Sequence, residues 1–181
     1  MKSLFPFILS AAFCMPGNAM AQGTVSTEQV KRGEYLVTIG LCNDCHTPLV
    51  MGPNGPAPDM SRRLSGHPQD IMVTAPATLP NPWGAATLPT LTAWSGPWGV
   101  SFTANLTPDP ETGVLRDFTE QQFVMTMRTG RHQGQGREIL PPMPWPWIGQ
   151  MTDDDLKAVF AYLRQIPPLK NKVPDPIPPA Q

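Results

Sequence analysis

Twenty-four prolines and fifteen glycines in 181 residues leave this chain little room for long regular elements. Proline removes a backbone donor and clashes inside a helix, and it interrupts a strand ladder. Glycine loses the most conformational freedom on folding. Both stand far above their usual share, a bias that often accompanies disorder. Yet five tryptophans and seven phenylalanines are scattered through the same chain and need somewhere to be buried. A loop-rich chain wrapped around a large apolar cofactor satisfies both facts.

Three segments read as helices. The first starts near Thr27 and Glu28 and runs to about Gly40, with Gly33 and Val37 on one face where a partner helix can approach. The second follows Thr119, whose spacing to Gln122 is that of a capping box, and Gly130 is its natural stop. The third is the clearest. Thr152 caps it, Asp153 to Asp155 suit the positive end of its dipole, and Leu156, Val159, Phe160 and Leu163 form an apolar stripe ended by Pro167-Pro168. The outer helices are expected to cross near Gly33 and Val159.

Between the first and second helices no convincing period appears. Pro53, Pro56, Pro58, Pro76, Pro80, Pro82, Pro89 and Pro97 punctuate the stretch, and residues 50–95 read as a long Pro-rich insert. A loop this long is usually functional or anchored, and Trp83, Trp94 and Trp98 predict that it is packed. Residues 169–181 read as an extended, polyproline-like tail carrying Pro174, Pro176, Pro178 and Pro179. The expected organisation is a leader over 1–21, one domain over 22–168, and the tail.

The leader reading rests on Lys2, the apolar run Leu4 to Phe13, and the small-x-small site Ala19-Met20-Ala21. The expectation is a signal peptide cut before Gln22 and a periplasmic mature protein. That run is too short to span roughly 30 Å of hydrocarbon, and Phe13 before Cys14 argues against a lipoprotein. No later segment is apolar enough to cross a bilayer. Removing residues 1–21 leaves 181 − 21 = 160 residues and takes away Lys2, so formal charge becomes 12 − 14 = −2. A nucleic-acid binder would show a basic excess instead.

Cysteine arithmetic is sharper. Cys14 leaves with the leader, so Cys42 and Cys45 must bond each other or something else. Cys42-Asn43-Asp44-Cys45-His46 is a C-x-x-C-H sequence, the attachment pattern of a c-type haem. On a helical turn these positions share a face, so two thiols and an imidazole point the same way. The thiols would add across the haem vinyl groups as thioethers, and His46 would reach iron. A thioredoxin-like pair would want a βαβ context that this chain lacks. A structural zinc site needs four ligands, and His67 and His132 lack the partner spacing to complete one with Cys42 and Cys45.

A second axial ligand should sit in rigid backbone. Among ten methionines, Met143 alone lies in such a setting, Leu140-Pro141-Pro142-Met143-Pro144-Trp145-Pro146, with Met151 its main rival. Iron held by His and Met is an electron-transfer arrangement. Arg128, Arg131 and Arg137 are candidates for the haem carboxylates, with a solvated face as the plainer reading. His67, in Gly66-His67-Pro68, reads as a surface histidine.

These residues resemble a known family. Arg32-Gly33-Glu34-Tyr35-Leu36-Val37, Cys42 to Thr47, Asn105 to Asp109 with Glu111-Thr112-Gly113, Phe123, Arg128-Thr129-Gly130, Pro142-Met143-Pro144-Trp145, and Asp155-Leu156 with Ala161-Tyr162-Leu163 are similar to class I c-type cytochromes. More narrowly, they are similar to the monohaem domains of cytochrome subunits of bacterial membrane-bound alcohol dehydrogenases. The resemblance implies an all-α, loop-rich cytochrome c fold around one covalently bound haem c, with His46 and Met143 as axial ligands. Leu115 and Phe118 stand where the family often has glycine and tryptophan. The larger subunits carry three such domains, and this chain has one C-x-x-C-H.

The expected function is one-electron transfer between redox proteins, without catalysis. A dedicated acceptor subunit of a periplasmic dehydrogenase is the near alternative. A haem enzyme such as a peroxidase is the alternative of another class. It would need an open sixth position and an acid/base group beside it, against which Met143 argues.

Overall fold

The computed structural model describes residues 25–179. The expected leader, residues 1–21, lies outside the described residues. Helix α1 spans Thr27–Ile39, capped by Ser26, whose hydroxyl accepts from the Gln29 N–H at 3.1 Å. After Gly40, Leu41 adopts a left-handed conformation (φ 57°) that swings the chain into α2, the single turn Cys42–His46.

Helix α3 covers Glu120–Thr129, and the capping box is formed: Thr119 Oγ1 accepts from Gln122 N–H, and Gln122 Oε1 accepts from Thr119 N–H. Gly130 ends it at φ 67°. Its missing Cβ makes room for Trp145, which opens the short helix α4, Trp145–Ile148. Helix α5 spans Asp153–Leu163, with Thr152 Oγ1 accepting from Asp155 N–H at 3.1 Å.

Helices α1, α3 and α5 enclose the core. Leu36 and Val37 come from α1, Phe123, Val124 and Met127 from α3, and Leu156, Val159, Phe160 and Leu163 from α5. The stripe predicted for α5 is buried as expected, but Ala158, Ala161 and Tyr162 are buried as well. The reason is the crossing. Gly33 of α1 lies against Ala158 and Tyr162, so α5 is covered from a second side. Each fully buried side chain such as Val37 or Leu156 contributes about 1.5–3 kcal/mol.

The expectation of a purely helical fold meets a difference in the insert. Strands β1 (Leu49–Gly52) and β2 (Gly55–Pro58) pair as a hairpin, and β3 (Ala86–Thr87), β4 (Ala93–Gly96) and β5 (Gly99–Phe102) form a three-stranded antiparallel sheet. Strand β2 carries Pro56 and Pro58, which a two-stranded ribbon tolerates because its outer edge needs no donor. Trp94 and Trp98 are half-buried against this sheet, as packing of the insert requires. Trp83 is 70% exposed, a correction to its reading as a packed residue.

The segment after α5 runs extended over the surface and is pinned along its length. Asn171 Nδ2 donates to the Ser65 and His67 carbonyls at 2.7 and 2.8 Å, and its Oδ1 accepts from Gln69 N–H at 3.0 Å. Asn105 Nδ2 donates to the Leu169 carbonyl at 2.8 Å. Further on, Ile177 forms an antiparallel bridge with Val100 of β5. Among the described residues no helix is long and apolar enough to cross a membrane.

Candidate cofactor site

Helix α2 delivers both thiols and the imidazole on one turn. Its anchoring is polar and comes from distant parts of the chain. Asn43 Oδ1 accepts from Arg63 Nε at 3.0 Å, and Arg63 in turn donates to the Tyr162 hydroxyl at 2.6 Å, tying the turn to α5. Thr47, fully buried, accepts the Leu64 N–H on its hydroxyl at 3.0 Å, and the His46 carbonyl accepts from Gly66 N–H.

His46 is buried, and its Nδ1 lies 2.8 Å from the Ala104 carbonyl oxygen. A carbonyl only accepts, so Nδ1 carries the hydrogen and Nε2 keeps its lone pair. Burial lowers the imidazole pKa, against the opposing pull of the Ala104 hydrogen bond, and so favours the neutral ring. Nε2 has no partner among the described residues, yet no fully buried side-chain nitrogen or oxygen there goes unsatisfied. Nε2 therefore opens onto space. A neutral imidazole held through Nδ1–H with Nε2 free is the form that binds a metal.

Cys42 and Cys45 are half-buried free thiols, not joined to each other. Burial, with smaller contributions from Cys45 and Asp44, pushes the Cys42 thiol up to about 11. Burial first and Asp44 second also raise Cys45. A redox-active C-x-x-C pair or a thiolate metal ligand needs the opposite shift. Among the described residues no three His, Cys, Asp or Glu side chains gather into one cluster.

Met143 is half-buried and packs on the same apolar cluster as Cys42. Met151 packs there too. What separates them is the backbone: Pro141 and Pro142 precede Met143 and Pro144 follows it, and the Pro141 carbonyl accepts from Ser101.

The three candidate arginines divide. Arg128 bonds the Gly149 carbonyl and pairs with Asp153 at 2.6 Å, and Arg131 pairs with Glu138 at 2.5 Å. Arg137 has no carboxylate partner within ion-pair distance among the described residues and lines a cavity of about 360 Å³. Arg116, Phe118, His132, Gln133 and Asp175 share that cavity. Burial lowers the Arg137 pKa, with Asp175 opposing. His132 is half-buried there, its ring edge-on to Phe118, and burial followed by the Arg137 charge lowers it to about 4. An unpaired guanidinium in such a cavity is set to accept a carboxylate.

His67 is not a surface residue. It is fully buried, with Nδ1 3.0 Å from Thr92 Oγ1, Nε2 2.9 Å from the Ile71 carbonyl, and its ring beside Phe102. Both nitrogens are used, so the ring braces the insert. Sequence reasoning missed Ala104, Arg63 and Ser101. None stands within a motif, and each acts on residues far away in the chain.

Comparison with known proteins agrees with the motif-level resemblance. The chain is similar to the cytochrome c subunit of a quinone-dependent alcohol dehydrogenase of Gluconobacter oxydans (strain 621H), 27% identical over 81% of this chain and 24% of that one. It is likewise similar to the gluconate 2-dehydrogenase cytochrome c subunit of Pantoea cypripedii, 30% identical over 90% of this chain and 28% of that one. The alcohol dehydrogenase (quinone) cytochrome c subunit of Komagataeibacter europaeus is 27% identical over 86% of this chain and 26% of its own. The chain thus spans about a quarter of the length of these relatives. No protein-family model matches it.

Proposed function

We propose that this chain is an exported, single-haem c-type cytochrome with a cytochrome c fold, carrying one electron at a time. Cys42 and Cys45 would hold the haem by thioethers, and His46 and Met143 would be the axial ligands. The observation that carries the reading is the placing of His46: buried, oriented through Ala104, with Nε2 free, on the same turn as two free thiols.

A bound haem supplies a reversible ferric–ferrous couple. The chain's own residues do the rest. His46 donates its Nε2 lone pair and is kept from turning by Ala104. Met143 would supply sulfur as the second ligand, which would favour the ferrous state more than a second imidazole. With both assigned as ligands, no coordination position is left for a substrate, and the reading is a carrier rather than an enzyme. Of the three candidate arginines, Arg137 has no carboxylate in ion-pair distance among the described residues and is the one that would be free to meet a haem carboxylate. The single C-x-x-C-H supports one haem per chain, and Lys2 with Ala19-Met20-Ala21 supports export to the periplasm.

A role as acceptor for a dehydrogenase is favoured by the relatives, whose names make them dehydrogenase cytochrome subunits. The test is covalency. Acid-acetone treatment should leave haem on the purified protein, and the reduced pyridine haemochrome should match two thioether links and one haem per chain. Haem that extracts freely overturns the reading, as does an unchanged holoprotein yield in both Cys42→Ala and Cys45→Ala.

A further inference from the structure

The loop that bears Met143 cannot secure itself. Pro141, Pro142 and Pro144 have no N–H, so residues 141–144 own a single backbone donor. Among the described residues, one hydrogen bond touches residues 140–143 at all: Ser101 Oγ to the Pro141 carbonyl at 2.5 Å. Ser101 is buried, and its hydroxyl has one hydrogen to give. The Trp94 carbonyl lies at 3.4 Å, so the shorter contact to Pro141 takes that hydrogen. Trp98 Nε1–H then fills the oxygen from the other side at 3.2 Å, which orients the hydroxyl toward the loop.

The strand that presents Ser101 is held on both edges. Strand β5 pairs with β4, Ser101 standing opposite Trp94. On its far edge Val100 exchanges two backbone hydrogen bonds with Ile177, at 2.8 and 3.0 Å. The contact is close enough that a Cβ on Gly99 would lie 2.0 Å from the Ile177 carbonyl oxygen. The donor is therefore stiff, and on the acceptor side the first hydrogen bonds after Pro141 are those the Pro144 carbonyl accepts from Trp147 and Ile148 N–H at 3.1 and 3.2 Å, which leaves residues 140–143 with the Ser101 contact alone among the described residues.

We propose that Ser101 is a positioning residue for Met143, by which the insert's sheet clamps the Pro141 carbonyl and sets how firmly the methionine sulfur is held against iron. This rests on Met143 being the axial ligand. It gives the 50–95 insert and the strand next to it a role in tuning the site, reached through β5 rather than through contact with haem.

The experiment uses imidazole as a competitor for ferric iron in the holoprotein, because imidazole enters only when the methionine loop lets go. Ser101→Ala removes one hydrogen bond and should bind imidazole about fivefold more tightly than wild type, with an earlier thermal loss of the sulfur-to-iron band. Ser101→Thr, which keeps the hydroxyl, should restore wild-type affinity. Thr87→Ala loses a hydroxyl bonded within the same sheet, to the Ala93 carbonyl, and should bind imidazole as wild type does. Should Ser101→Ala yield no holoprotein, Trp98→Phe is read in its place, with about twofold tighter binding expected from a hydroxyl that has lost its orienting donor. Wild-type affinity in Ser101→Ala overturns the proposal, as does an equal gain in Thr87→Ala. A wild-type protein with no sulfur-to-iron band would instead retire Met143 as ligand and take this inference with it.

Discussion

Gly33 and Ala158 touch backbone to backbone: a Cβ on Gly33 would lie 1.9 Å from the Ala158 carbonyl oxygen and 2.7 Å from Tyr162 Cβ. Neither neighbour can retreat, since one is helix backbone and the other is a buried side chain. Arg32, the next residue along, pairs with Asp155 at 2.8 Å and closes the same crossing at the solvent edge. Gly33→Ala would add helix propensity worth about 1 kcal/mol but force the two helices apart. Overpacking of this kind costs typically 1–3 kcal/mol or more. A lower urea midpoint with an unchanged slope is expected.

Asn171→Ala should be costly for a residue in an extended segment. It removes two donors from the Ser65 and His67 carbonyls and one acceptor from Gln69 N–H, all beside buried backbone. A loss of about 3 kcal/mol is expected from the groups left unsatisfied. Asn171→Asp keeps the acceptor but turns a carboxylate oxygen on the Ser65 and His67 carbonyls, and at pH 7 should lower the urea midpoint at least as far as Asn171→Ala does.

Asp109 makes stability depend on pH. The Thr112 hydroxyl first, then the Thr112 and Glu111 backbone N–H groups and the Lys170 charge, hold its carboxyl below the ordinary range against the cost of burial. A depressed folded-state pKa means stability that is present above the unfolded value and lost as pH falls through the folded one. Asp109→Asn should have a lower urea midpoint at pH 7, and the gap should close below about pH 4. A gap that stays constant down to strongly acidic pH would contradict this.

Met143 and Met151 are separated by potential and spectrum. Met143→Ala should lower the potential of the holoprotein and abolish the sulfur-to-iron band, because sulfur favours ferrous iron more than the ligands that would replace it. Met151→Ala should leave both nearly intact. An unchanged band and potential in Met143→Ala would mean another sixth ligand.

Much of the helical frame was legible in the sequence because its instructions are local. The Thr119–Gln122 capping box, the Thr152 cap, the Gly130 stop and the apolar stripe of α5 each act over a few residues of one helix. The spacing of Cys42, Cys45 and His46 is of the same kind, since one helical turn brings them together. The strands were not legible. They are two to four residues long and rich in proline and glycine, too short for alternation to show.

By itself, then, the sequence determined where the three long helices start and stop and which turn presents two thiols and an imidazole. Tertiary structure alone decided what state those groups are in. Ala104 selects the His46 tautomer from 58 residues away, Arg63 holds Asn43 while reaching Tyr162 across 99, and Ser101 reaches Pro141 across 40. It also turned His67 from an expected surface residue into a buried brace. A periodic pattern records which face of an element is apolar, but a hydrogen bond between distant residues leaves no period behind. Its partners are chosen by the packing of α1 on α5 and of the insert on the methionine loop, which exist only once the chain has closed.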